Sequence, residues 1–167
     1  MASSAPPITL DLEARLHSEH PEALRLWLRL LTCTQLIEKR VRAGLREHFA
    51  TTLPRFDLMA QLERHPEGLR MKELSARLMV TGGNVTGITD QLVAEGLVER
   101  TEVQEDRRAF RVRLTQAGHQ AFQQMAEAHE AWIVEAFQGL PPREMDQLYR
   151  LLGKVKQQQA PNDPSTP

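Results

Sequence analysis

From Glu22 to Phe49 the chain places apolar residues at Leu24, Leu26, Trp27, Leu28, Leu30, Leu31, Cys33, Leu36, Ile37, Val41 and Leu45. At 3.6 residues per turn these cover most of a helix's circumference, so the segment predicts a long helix covered on several sides. It is longer than a small domain needs, and a second copy of the chain is the simplest cover. A second helix opens near Pro54, where a missing N–H does no harm, presents Phe56, Met59 and Leu62, and stops at "HPEG". A short third helix follows, with Leu74 and Leu78 inward. Between 82 and 94, Val85, Ile88, Leu92 and Val93 recur at steps of three, four and one, with Thr81 as cap and Gly96 as left-handed stop.

After Gly96 the period changes. "LVERTEV" and "FRVRL" are separated by "QEDRRA", and Phe110, Val112 and Leu114 alternate with Arg111 and Arg113. Alternation of this kind is a strand with one face on a core, hence a two-stranded β-hairpin. Thr115 then caps a long helix carrying Phe122, Met125, Trp132, Ile133 and Phe137, and after "GLPP" a last helix presents Met145, Leu148, Tyr149, Leu152 and Val155. The ends, 1–8 and 159–167, are rich in Pro, Ser and Ala without periodicity and are expected to be disordered. The expected architecture is mainly α: a winged helix-turn-helix lobe over 53–115 with a two-stranded wing, flanked by dimerisation helices over 9–52 and 116–158.

Three glycines, Gly82, Gly83 and Gly87, lie in the first half of the 82–94 helix, although each costs about 1 kcal/mol relative to alanine in a helix interior. With Val85 and Leu92 inward, the opposite face reads Gly83, Gly87, Asp90 and Ala94, and Asn84, Thr86 and Gln91 stand on its edges. A smooth face edged by amide and hydroxyl groups suits a major groove, where Asn and Gln read base edges and a helix N-terminus faces phosphate. Gly82 and Gly83 could instead simply form the turn into the helix. A nucleotide-binding loop does not fit, because "TGGNVTG" lacks the closing Gly-Lys-Ser/Thr. The hairpin carries Arg100, Arg107, Arg108, Arg111 and Arg113, chemistry for a minor groove or for backbone phosphate, or else an ordinary solvated turn.

Composition narrows the partners. Twenty-one Lys and Arg against 22 Asp and Glu give a formal net charge of -1, so nucleic-acid binding has to rest on local charge. One cysteine, Cys33, excludes an internal disulfide framework, and neither a signal-peptide pattern nor a membrane-length apolar run is present, so a cytoplasmic protein is expected.

Taken together, "LSARLMVTGGNVTGITDQLVAEGLVERTEVQEDRRAFRVRLTQAG" and the lead-in "LPRFDLMAQLERHPEGLRMKELS" resemble the winged-helix core of MarR-family transcriptional regulators over about residues 53–118. The resemblance implies a homodimer that binds a pseudo-palindromic operator and usually represses until a small ligand or oxidant loosens it. It puts Thr81, Gly82, Gly83, Asn84, Thr86, Gly87 and Gln91 on the DNA-reading helix and Asp106, Arg107 and Arg108 on the wing. Arg70 stands where many members have a Ser or Thr cap, which makes it, with Lys72, a candidate phosphate contact. The three glycines replace bulkier residues common on the reading face, so no operator sequence carries over.

Ligands of such regulators sit between the dimer helices and the DNA-binding lobe. Arg25, Trp27 and Arg29, with His48 and Phe49 near the end of the same helix, are candidates for binding an aromatic carboxylate or its acyl-CoA thioester, arginine being a good partner for carboxylate or phosphate. Cys33 is the candidate for redox sensing, although its apolar neighbours predict a packed, inert thiol. The histidines form no tight cluster with cysteine, and no metal or other cofactor is expected. Enzyme motifs are absent, which leaves a non-catalytic protein-interaction module as the alternative to a DNA-binding regulator.

Overall fold

The computed structural model describes the backbone of residues 21–78, 82–103 and 106–159 and, within these, all side chains except those of 82, 83, 102, 103 and 106–109. The expected disordered ends lie outside it, apart from Gln159. The element order is α1 (Pro21–Phe49), α2 (Leu53–Glu63), β1 (Leu69–Arg70), α3 (Met71–Leu78), α4 (Gly82–Ala94), β2 (Val98–Val103), β3 (Asp106–Leu114), α5 (Gln116–Phe137) and α6 (Pro142–Gln159). Two compact units divide the chain, one ending at His129 and the other starting at Glu130.

In the first unit, Leu45, Leu58, Met59, Leu62, Leu74, Val85, Leu92, Val98 and Val112 are almost fully buried. They come from α1, α2, α3, α4, β2 and β3, and at roughly 1.5–3 kcal/mol per fully buried aliphatic side chain they hold these elements together. The sheet has three antiparallel strands in the order β1-β3-β2, one more than the predicted wing. Leu69 pairs with Val112 and Arg70 with Arg111. A two-residue strand has no room to display alternation, which is why the sequence pattern misses it. Gly68, at φ +83°, turns the chain into β1, and a Cβ there would stand 2.9 Å from the Val112 carbonyl oxygen.

The hairpin is also tighter than expected. β3 begins at Asp106, a register irregularity falls between Glu102 and Val103, and Val103 faces Asp106, so strand occupies most of the stretch read as loop. Val112 and Leu114 face the core, but Phe110 does not: it is 36% exposed, with the Arg100 guanidinium 5.1 Å above its ring. Arginine over an aromatic face shelters a ring that the core does not reach.

α4 ends as predicted. Gly96 takes φ +71°, its N–H donates to the Val93 carbonyl and that of Leu97 to the Leu92 carbonyl, closing a Schellman cap. The Thr115 hydroxyl then bridges two elements. It donates to the Gly96 carbonyl at 2.7 Å and accepts from the Gly118 N–H at 3.0 Å, capping α5 on the end of α4. Gly118 passes so close that a Cβ would lie 1.9 Å from the Leu97 carbonyl oxygen.

α1, expected to take a second copy of the chain as cover, is largely exposed in a single chain. Its buried residues are Val41, Gly44 and Leu45, whereas Leu26, Trp27 and Leu36 are more than half exposed and Cys33 is exposed rather than packed. Among the described residues, the core is joined by the last third of the helix. In the second unit α6 buries no residue, and Met145, Tyr149, Leu151, Leu152 and Val155 are exposed.

Candidate nucleic-acid interface

α3 and α4 form the helix pair. At the start of α3 the Arg70 N–H donates to the Glu73 carboxylate at 2.7 Å. The helix thus takes its cap from a residue in its own first turn, half of a capping box, and the Arg70 and Lys72 side chains remain exposed. Against α3 lies the inward stripe of α4, which is Val85, Thr89 and Leu92, all fully buried. The sequence pattern had Ile88 in the middle place. Thr89 escapes notice because it reads as polar, yet its hydroxyl donates to the Val85 carbonyl at 2.8 Å and its methyl is free to pack.

Asn84, Thr86, Gly87, Asp90, Gln91 and Ala94 are all exposed on the rest of α4. A Cβ at Gly87 would meet nothing within 4 Å, so no contact inside the chain requires glycine at that point. Asp90 is the one acidic group on this face, and it is ion-paired with Arg100 of β2. The pair offsets a charge that phosphate would repel and ties the helix to the base of the hairpin. Thr81 lies outside the described residues, and Gly82 and Gly83 are described only as the first helical positions of α4.

The arginines of the hairpin separate by role. Arg100 is held by Asp90 and Phe110, Arg113 donates to Glu99 at 2.6 Å, and the Nη1 of Arg111 donates to the Gly68 carbonyl at 2.9 Å. These three brace the sheet. Asp106, Arg107 and Arg108 open β3 next to the turn, and their side chains are outside the described set.

The effector candidates do not converge. Arg25, Trp27 and Arg29 stand near one end of α1 and His48 and Phe49 at the other, at least about 28 Å apart at 1.5 Å per residue, so one small molecule cannot touch both groups in one chain. Phe49 lines a recess of about 270 Å³ with Arg55, which the sequence gave no reason to single out. Asp57 is half-buried, and burial raises its carboxyl above the usual range against the pull of His129 and Arg42. No group of three or more His, Cys, Asp or Glu among the described residues is arranged to hold a metal, and none of the described helices is long and apolar enough to cross a membrane.

A family model described as MarR family matches residues 51–109, which run from the end of α1 into β3. A crystal structure of a MarR family transcriptional regulator from Silicibacter pomeroyi superimposes with a TM-score of 0.71 at 32% identity, covering 85% of this chain and 99% of that one. The chain belongs to the MarR family. Among curated MarR-type regulators, the transcriptional repressor MprA of Escherichia coli (strain K12) is 29% identical over 160 residues, 93% of this chain and 90% of that protein. Another curated regulator, 34% identical, is matched over only 56% of its own length. Sco3205, a MarR family regulator from Streptomyces coelicolor solved in complex with DNA, has the same fold, with a TM-score of 0.73 at 20% identity over 89% of this chain and 93% of that one. The proteins matched are transcriptional regulators, not enzymes, in keeping with the sequence reading.

Proposed function

We propose that this MarR-family protein is a cytoplasmic homodimeric repressor that reads a pseudo-palindromic operator with α4 and releases it when a small effector binds. The observation that carries the reading is the outer face of α4. It is exposed along its length, it is open at Gly87, and its single carboxylate is offset by Arg100. Such a face admits close approach of a major-groove floor, with Asn84 and Gln91 placed for base edges and Thr86 on the far edge. Arg70 and Lys72, with Arg107 and Arg108 at the wing, take the phosphate backbone, and Asp106 orients the wing arginines.

Dimerisation is supported by the uncovered apolar residues of α1 and, separately, of α6. Two copies would set two α4 helices in successive major grooves about 34–36 Å apart. Repression is supported by the likeness to MprA, and DNA binding by the complex of Sco3205. Small aromatic carboxylates or their CoA esters are the effector class to screen first.

Fluorescence anisotropy tests the reading: the full chain is titrated against DNA from upstream of its own coding region and against a scrambled sequence, across a salt series. A preference for the upstream fragment, with affinity falling steeply as salt rises, is the expected result. Equal affinity for both DNAs at every salt concentration would overturn it.

A further inference from the structure

α4 is anchored along its length. Thr89 is fully buried beneath it, Asp90 is ion-paired with Arg100 of β2, and Glu95, which directly follows the helix, is ion-paired with Arg55 of α2. Groups on its outer side are therefore held in place, as a reader of base edges requires. That side carries Asn84, Gly87, Gln91 and Ala94 in one row, all exposed. Asn84 and Gln91, seven positions apart, fall within about 20° of each other around the axis and about 10.5 Å apart along it, three base-pair steps at about 3.4 Å each. Gly87 lies between them, where a Cβ would meet nothing within 4 Å. The chemistry of the row is one-sided. No lysine or arginine occurs from Gly82 to Ala94, although such a side chain on guanine is the commonest base contact of a helix in the major groove. The one carboxylate, the group type that accepts from cytosine's amino group, is engaged by Arg100. Two amides and a gap one methyl deep remain.

We propose that Gly87 receives the 5-methyl group of a thymine, between two adenines whose edges are taken by Asn84 and Gln91, so that α4 selects adenine–thymine pairs at the core of each half-site. The inference rests on the operator reading above and names the base pairs that reading selects. An amide donates to N7 of adenine and accepts from its N6 amino group, whereas guanine offers acceptors at both places and leaves the amide oxygen facing one of them. Thymine differs from cytosine in the major groove by an apolar methyl as well as by its O4 acceptor. A side chain at position 87 would stand where that methyl goes, and glycine leaves the space open at a cost in helix propensity. The gap also sets the register: with the methyl seated at Gly87, each amide has one base step to read.

The test has two stages, both with the full chain. Repeated selection from a randomised duplex library gives the preferred half-site, and adenine–thymine pairs are expected at its core. Anisotropy titrations then compare the selected duplex with copies in which one thymine of each half-site is replaced by deoxyuridine, which removes the methyl alone. At the thymine that meets Gly87 the replacement is expected to weaken the unmodified chain about tenfold, from roughly fourfold per buried methyl. Gly87→Ala supplies a methyl of its own in open space, so the variant is expected to fold, to bind the thymine duplex more weakly, and to bind the deoxyuridine duplex at least as well as the thymine one. Asn84→Ala and Gln91→Ala are each expected to relax the adenine preference when the selection is repeated. Guanine–cytosine pairs at the core, indifference to deoxyuridine at every thymine, or a Gly87→Ala chain that still prefers thymine would each overturn the proposal while leaving sequence-specific binding intact. A library from which nothing is enriched would overturn the operator reading, and this inference with it.

Discussion

Two long exposed surfaces of this chain have opposite chemistry. The outer face of α4 is polar and low, with Asn84, Gly87, Gln91 and Ala94 in one row, whereas the first two-thirds of α1 holds Leu26, Trp27 and Leu36 out in solvent. Neither face is explained by packing among the described residues. A low polar face gains by approaching something hydrated and specific, and an apolar face gains by leaving water altogether. On the proposed function, DNA meets the first face and a second copy of the chain the other.

Breaking the apolar side gives the largest effect. Trp27→Glu combined with Leu36→Glu is expected to leave a monomer by sedimentation velocity and to lower operator affinity about a hundredfold or more, because the second reading helix is no longer tethered. Next comes the reading face itself. Asn84→Ala is expected to cost about 1–3 kcal/mol on operator DNA with little change on random DNA, whereas Arg107→Ala weakens both and reduces the salt slope by about one. Anisotropy on the two DNAs separates these patterns. Gly87→Ala sharpens the comparison by splitting signs: thermal unfolding should show a gain of about 1 kcal/mol, since the methyl enters open space and the helix improves, while operator binding weakens. If stability and binding rise together, the groove does not come close at that point.

Asp57 gives the smallest effect. Burial raises its pKa in the folded chain, so folding is favoured when the group is protonated and that contribution is lost as pH rises from the unfolded value through the folded one. Asp57→Asn is expected to flatten the stability profile over that interval, measured by denaturant midpoints between acid and neutral pH.

Much of this was legible in the sequence, for identifiable reasons. α2, α4 and the long helices carry stripes with several turns of repetition, and Gly96 and Thr115 mark boundaries through backbone chemistry that depends on few neighbours. The misses share a cause as well. β1 is too short to have a period, Thr89 looks polar while its hydroxyl is satisfied locally, and Phe110 alternates correctly on a strand that outruns the core. Three of the five hairpin arginines proved structural because their partners, Asp90, Glu99 and the Gly68 carbonyl, are brought to them only by folding. The Arg55 and Glu95 pair was invisible for the same reason, being 40 positions apart. The effector candidates fall into two groups near opposite ends of α1, because a list of residue types along one helix carries no information on which of them share a cavity.

Gly118 is a helical residue with no unusual dihedral, yet a methyl there would stand 1.9 Å from the Leu97 carbonyl oxygen. A saturation scan of α5 should therefore return one column with a single permitted letter, amid positions that accept many. That column records a distance rather than a chemistry. In a library selected for altered operator choice, position 118 is the one to leave out, since diversity spent there yields no folded variants to sort.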